Sequence, residues 1–180
     1  TYQRLQRRRQ RQRAHRAQVR HRIGIARDEA FSFLMSQQSI GEIFRTTAID
    51  FNPPLYYILL HFWMLLFGSS EVALRSISLI FFVGTLFVLY KIMSIVMKIP
   101  FKRALVYIGF ITFNPFLLYY AFEARMYMMA TFFVTLSFYA LWAKQKKLYI
   151  VSITCALYSH YFALFIFSGQ LLMHGISFQK

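Results

Sequence analysis

Three uncharged stretches, 104–122, 126–143 and 148–179, follow one another with only Glu123, Arg125, Lys144, Lys146 and Lys147 carrying charge between them. A helix that crosses a hydrocarbon core of about 30 Å needs about 20 mostly apolar residues. All three stretches meet that length. A further stretch, 76–90, meets it when extended through Lys91 to Met97, because a lysine can carry its charge along an aliphatic stem to a polar place. These segments set the expected fold class: all-α, a polytopic transmembrane helical bundle. Composition agrees, at 58% apolar and 15% charged residues, against roughly 45–50% and about 25% in soluble domains. That balance excludes a disordered chain, a collagen and a disulfide-stapled secreted module, and argues against a soluble enzyme. The single Cys155 sits in an apolar run, which closes disulfide and CxxC metal readings.

The first 27 residues are a different kind of sequence. They hold ten arginines, no lysine and no acid, although the whole chain has only 21 Lys+Arg. With almost nothing to bury, this Arg-rich segment is expected to be disordered or a frayed helix, foreign to the fold of 28–180. An anionic surface or plain solvation suits it better than specific nucleic-acid binding. No apolar run follows it, so it is not read as a signal peptide.

Pro53 and Pro54 suit a helix start, and Gly68 and Ser69 its end. The helix between them would be only about 20 Å long, too short to span, and its aromatic content and His61 fit an interface. We read 54–68 as an external juxtamembrane helix. Lysines and arginines mark cytoplasmic loops, and two clusters stand out: Lys98, Lys102 and Arg103, then Lys144, Lys146 and Lys147. Placing both inside gives an external loop 28–71 and spans at about 72–97, 102–121, 125–143 and 148–170. The Asn114-Pro115 pair is expected to kink or end its helix. Every acid then falls on the outer face: Asp28, Glu29, Glu42, Asp50, Glu71 and Glu123. So do Arg45, Arg75, Arg125 and His160.

Four motifs lie on that face. Asp28-Glu29-Ala-Phe-Ser opens a helix, where an acid is often only a cap. Asp50-Phe-Asn-Pro-Pro-Leu-Tyr56-Tyr57 leads into the surface helix, and Asp50 could cap it. Tyr119-Tyr-Ala-Phe-Glu123-Ala-Arg125-Met-Tyr127 could hold a plain local ion pair. Tyr158-Ser-His160-Tyr161 holds a histidine of the sort that more often serves packing than ligation. Glu123, Arg125 and His160 nevertheless sit beside or inside apolar helices, where ionisable groups are costly and usually functional.

In this order the motifs resemble the N-terminal part of a GT-C membrane glycosyltransferase, of the dolichyl-phosphate-mannose protein mannosyltransferase-like group (glycosyltransferase family 39). The Phe67-Gly-Ser-Ser-Glu-Val-Ala-Leu-Arg75 lead into the next span, the Asn-Pro-Phe segment and Ser-His-Tyr-Phe complete the likeness, which covers about 28–180. The resemblance implies an inverting transfer of sugar from a polyprenyl-phosphate donor to a protein, lipid or glycan acceptor at the outer membrane face. It gives Asp28, with Glu29 beside it, as general base, and Glu123 as a second catalytic acid. By residue chemistry, Arg125 suits the donor phosphate, His160 the phosphate or a metal, and Asp50, Tyr56 and Tyr57 the rest of the substrate. No resident cofactor is certain; a divalent metal remains open, with no metal ligands assigned. The implied localisation is the plasma (inner) membrane, multi-pass, with the site facing the periplasm or exterior. The family places a span before its Asp-Glu pair, where this chain has the Arg-rich stretch, and it is longer, so the chain is expected to be a partial GT-C-like domain. Two other readings stay open: a transporter or channel-like subunit with Glu123, Arg125 and His160 along a pathway, and a non-catalytic membrane scaffold.

Overall fold

The computed structural model describes residues 27–50 and 52–177; the side chains of 27, 28, 50 and 174–177 lie outside the described residues, as does the Arg-rich stretch 1–26. The described residues are helical, with no strand among them. Three helices come first: α1 (Arg27–Ser36), α2 (Ile40–Asp50) and α3 (Leu55–Phe67). Six follow: α4 (Glu71–Lys91), α5 (Phe101–Thr112), α6 (Pro115–Ala121), α7 (Tyr127–Trp142), α8 (Lys146–Ser159) and α9 (Ala163–Ser177).

α4 is the long one. Ser70 caps it by accepting a hydrogen bond from the Ala73 amide at 3.2 Å, which satisfies one of the donors a helix start leaves bare. It continues through a π-helical turn, Ile92–Val96, giving a 26-residue helix, Glu71–Val96, long and apolar enough to cross a membrane. It ends where Lys98 turns left-handed, with φ 54°, and Pro100 blocks continuation.

α5 and α6 make a bent pair, turned by 70° at Phe113–Asn114. Asn114 Oδ1 accepts from the amides of Phe116 and Leu117 at 3.0 and 3.2 Å, so the Asn-Pro pair restarts the helix as its chemistry dictates. α7 and α8 form an antiparallel hairpin closed by Lys144, φ 56°, at the left-handed position of a Schellman motif. Gln145 N donates to Ala140 O at 2.8 Å, and Lys144 N to Leu141 O at 3.2 Å.

The continuous helix expected over 148–170 is broken. α8 stops at Ser159, His160 is extended (φ −156°, ψ 134°), and α9 begins at Ala163. The reason is local: the Phe162 amide donates to His160 Nδ1 at 3.2 Å, an alternative to the helical ladder. Neither Gly nor Pro marks this break.

α7 packs chiefly against α8 and α4. A Cβ at Gly84 of α4 would lie 2.9 Å from Phe132 Cε2 of α7, so the absence of a side chain there sets how closely the two helices approach. The largest core cluster sits at one end of this bundle. It joins Phe33 and Met35 of α1, Ile43 of α2, Tyr56, Tyr57 and Leu60 of α3, and Leu74 and Ile77 of α4 to Ala124, Met126 and Met129. The three N-terminal helices thus pack over the end of the bundle where α4 and α7 begin and α8 finishes. Lys98 and Lys144 mark the opposite end.

Candidate functional site

The centre of that capped end is Glu29, one residue after Asp28 on α1. Its side chain is 2% exposed. A charge so far from water survives only if it is paired and hydrogen-bonded. Arg75, one turn into α4, supplies a two-pronged contact: Nε to Oε1 at 3.1 Å and Nη2 to Oε2 at 3.0 Å. The Ala124 amide adds a third bond, to Oε1 at 2.7 Å, across 95 positions of sequence. Arg75 also pairs through Nη1 with Glu71 on its own helix.

Ala124 belongs to a short turn between α6 and α7. Arg125 N donates to Glu123 O at 2.8 Å, closing a three-residue turn. The same carbonyl accepts from Ser78 Oγ of α4 at 2.7 Å. The backbone of Glu123-Ala124-Arg125 is therefore held from both sides, by α1 through Glu29 and by α4 through Ser78. This fixes where the two side chains leave the chain. Arg125 Nη1 lies 4.0 Å from Glu123 Oε1, and its guanidinium sits over the Tyr127 ring at 4.7 Å.

Tyr127 leads to His160. Their rings are 5.5 Å apart, and His160 stacks on Tyr161 and Phe162 at 4.7 and 5.0 Å. Because Nδ1 of His160 accepts the Phe162 amide, the neutral ring carries its proton on Nε2, a donor. The break after α8 thus sets the tautomer and brings His160, expected inside a span, to the same end as Arg125.

Tyr56 and Tyr57 are 0% and 1% exposed, buried in the core cluster with their rings edge-to-face at 5.8 Å. They support the site from beneath and present no surface to a substrate in this arrangement. The Tyr56 hydroxyl lies by Ser78 but meets no partner at hydrogen-bonding geometry among the described residues. Burial raises its pKa well above the usual tyrosine value, partly offset by Ser78. The side chains of Asp28 and Asp50 lie outside the described residues; their backbones are the second residue of α1 and the last of α2. No group of three or more His, Cys, Asp or Glu able to hold a metal occurs among the described residues.

Arg75, Ser78 and the Ala124 amide were not singled out as site residues by the sequence. Arg75 had a usable signal, a guanidinium one turn inside an apolar helix. Ser78 and the amide had none, since their role exists only once α1, α4 and the 122–126 turn meet. Elsewhere, Phe44, Thr47, Ala48, Asn52, Pro53, Pro54, Leu157 and Tyr158 line a largely apolar groove of about 490 Å³. Comparison of the chain with protein-family models, with curated proteins and with solved structures found no match.

Proposed function

We propose that this chain forms part of a multi-pass GT-C-like membrane enzyme that moves a sugar from a polyprenyl-phosphate donor to an acceptor hydroxyl, with inversion. The observation that carries the reading is the 2.7 Å bond between the Ala124 amide and Glu29. It joins the helix start that bears Asp28 to the turn that bears Glu123 and Arg125, with His160 one ring further on. An acid, a guanidinium and a histidine N–H converging at one end of an apolar bundle is the set that glycosyl transfer from a phosphate needs. On this reading the end carrying Lys98 and Lys144 faces the cytoplasm and the acid-bearing end faces outward.

The steps follow from charge. Asp28 takes the proton of the acceptor hydroxyl as its oxygen bonds to the anomeric carbon from the face opposite the leaving group. The bond from that carbon to the phosphate oxygen breaks, and the electron pair leaves with the polyprenyl phosphate. Arg125 neutralises the phosphate charge that grows, and His160 Nε2–H donates to it. The groove lined by Leu157 and Tyr158, which shortly precede His160 in the chain, gives an isoprenoid chain a place.

The test separates the roles. In lipid nanodiscs with a polyprenyl-phosphate sugar donor, Asp28→Asn should lower turnover by roughly 10²–10⁴ with donor binding nearly intact. Arg125→Ala should weaken donor binding itself, by about tenfold or more. Normal turnover in Asp28→Asn removes Asp28 from the mechanism, and unchanged donor binding in Arg125→Ala leaves Arg125 a structural partner of Glu123.

A further inference from the structure

We infer that Glu29 is a positioning residue: through the Ala124 amide it sets the turn from which Arg125 reaches the donor phosphate, and it takes no proton in the reaction. This rests on the donor reading above and assigns Glu29 a different part from the base that its place beside Asp28 suggests.

Three observations carry it. Both Glu29 oxygens already accept hydrogen bonds, from Arg75 and from Ala124, in a setting almost without solvent. A base needs a lone pair turned to the substrate, whereas three of the four lone-pair sites of this carboxylate are taken by α4 and the 122–126 turn. Secondly, the Ala124 N–H is accepted by Glu29, a hydrogen bond that ties the middle of the turn to α1. A further tie, from Ser78 to the Glu123 carbonyl, holds the other polar group of the same peptide unit. Holding the C=O and the N–H of one peptide plane from two helices leaves that plane little freedom to rotate, and Arg125 is the residue that follows Ala124. Thirdly, Arg75 locks the carboxylate plane by its two-pronged contact, which has a geometric specificity that a single bond lacks. Arg75 thus orients Glu29, Glu29 orients Ala124, and Arg125 follows.

The experiment uses the chain in phosphatidylcholine nanodiscs, with undecaprenyl phosphate as the probe. Amide exchange over 122–126 and probe binding are measured in wild type, Glu29→Ala and Glu29→Gln. Glu29→Ala removes the acceptor, so Ala124 should exchange about tenfold faster or more. Exchange in α7 and α8 should stay unchanged, which shows that the bundle is still folded. Probe binding should weaken in parallel by about tenfold. Glu29→Gln keeps an oxygen for the Ala124 amide but has no basicity, so it should recover most of the protection and most of the binding. If Ala124 exchange is the same in Glu29→Ala as in wild type, the inference fails. It also fails if exchange rises while binding is undiminished, or if Glu29→Gln protects Ala124 and yet binds as poorly as Glu29→Ala. A wild-type chain that binds no undecaprenyl phosphate removes the donor reading instead; the exchange arm then still decides whether Glu29 holds the turn.

Discussion

Arg75→Met is the substitution whose cost follows most directly from the structure. It keeps a long apolar side chain on α4 and removes the guanidinium. The contact with Glu71 matters little, because Glu71 is 38% exposed and such pairs are worth about 0–1 kcal/mol. Glu29 decides the result, since it is 2% exposed and would keep only the Ala124 bond of the three described. Removing one partner of a buried pair typically costs about 3–5 kcal/mol. Two facts hold this case to the lower part of the range. Arg75 is itself 34% exposed, so water screens the pair. Glu29 can also escape by taking up a proton, which for an ordinary glutamate costs about 3.7 kcal/mol at pH 7. The expected loss is therefore about 2–4 kcal/mol at pH 7. At pH 5 taking up that proton costs only about 1 kcal/mol, so the gap between variant and wild type should shrink by at least half. Adding Glu29→Gln to Arg75→Met removes the stranded charge and should recover part of the loss. Reversible unfolding in mixed micelles, followed by circular dichroism at both pH values, measures all three. A loss below about 1 kcal/mol at pH 7, or a gap unchanged at pH 5, would mean that Glu29 is not the buried anion described here.

Two further predictions concern other parts of the molecule. Burial raises the Tyr56 pKa above its ordinary 10.0, so above pH 10 the unfolded chain loses a proton that the folded chain keeps; stability should fall as pH rises past 10, and Tyr56→Phe should flatten that slope in alkaline melts. Cysteines placed singly at Lys102 and Lys146 in a Cys155→Ser background should resist an impermeant thiol reagent in intact cells, while one at Ser70 should react; labelling at Ser70 only after permeabilisation would invert the proposed orientation.

Much of the helix plan was legible because its boundaries are local. Pro53-Pro54, Gly68 and Asn114-Pro115 each act on the backbone within a few residues, and each starts, stops or bends a helix where its chemistry says it should. The break after Ser159 was not legible, since it depends on a side-chain nitrogen capturing an amide two residues on, in a stretch otherwise suited to continuous helix. The charged cluster was legible as residues sharing one side but not as an arrangement. Charge placement put Glu29, Glu123, Arg125 and His160 on one side, and the structure brings them to one end. What each touches depends on contacts as distant as 95 positions, and no local pattern encodes them. Tyr56 and Tyr57 illustrate the converse. Their chemistry suits a sugar, yet the packing of α1 and α3 over the bundle end encloses both.

The left-handed lysines at 98 and 144 have a consequence for how the chain could evolve. An L-residue with a Cβ pays about 1–2 kcal/mol in that conformation, and glycine would relieve it. In the proposed membrane orientation, glycine would also delete a cation from each of the two tight reversals at the basic end, weakening the bias that orients neighbouring helices during insertion. At these two positions a more stable turn and a more reliable orientation are alternatives, so variants selected for thermal endurance should drift toward glycine at 98 and 144 only when further lysines or arginines appear nearby in the same loops.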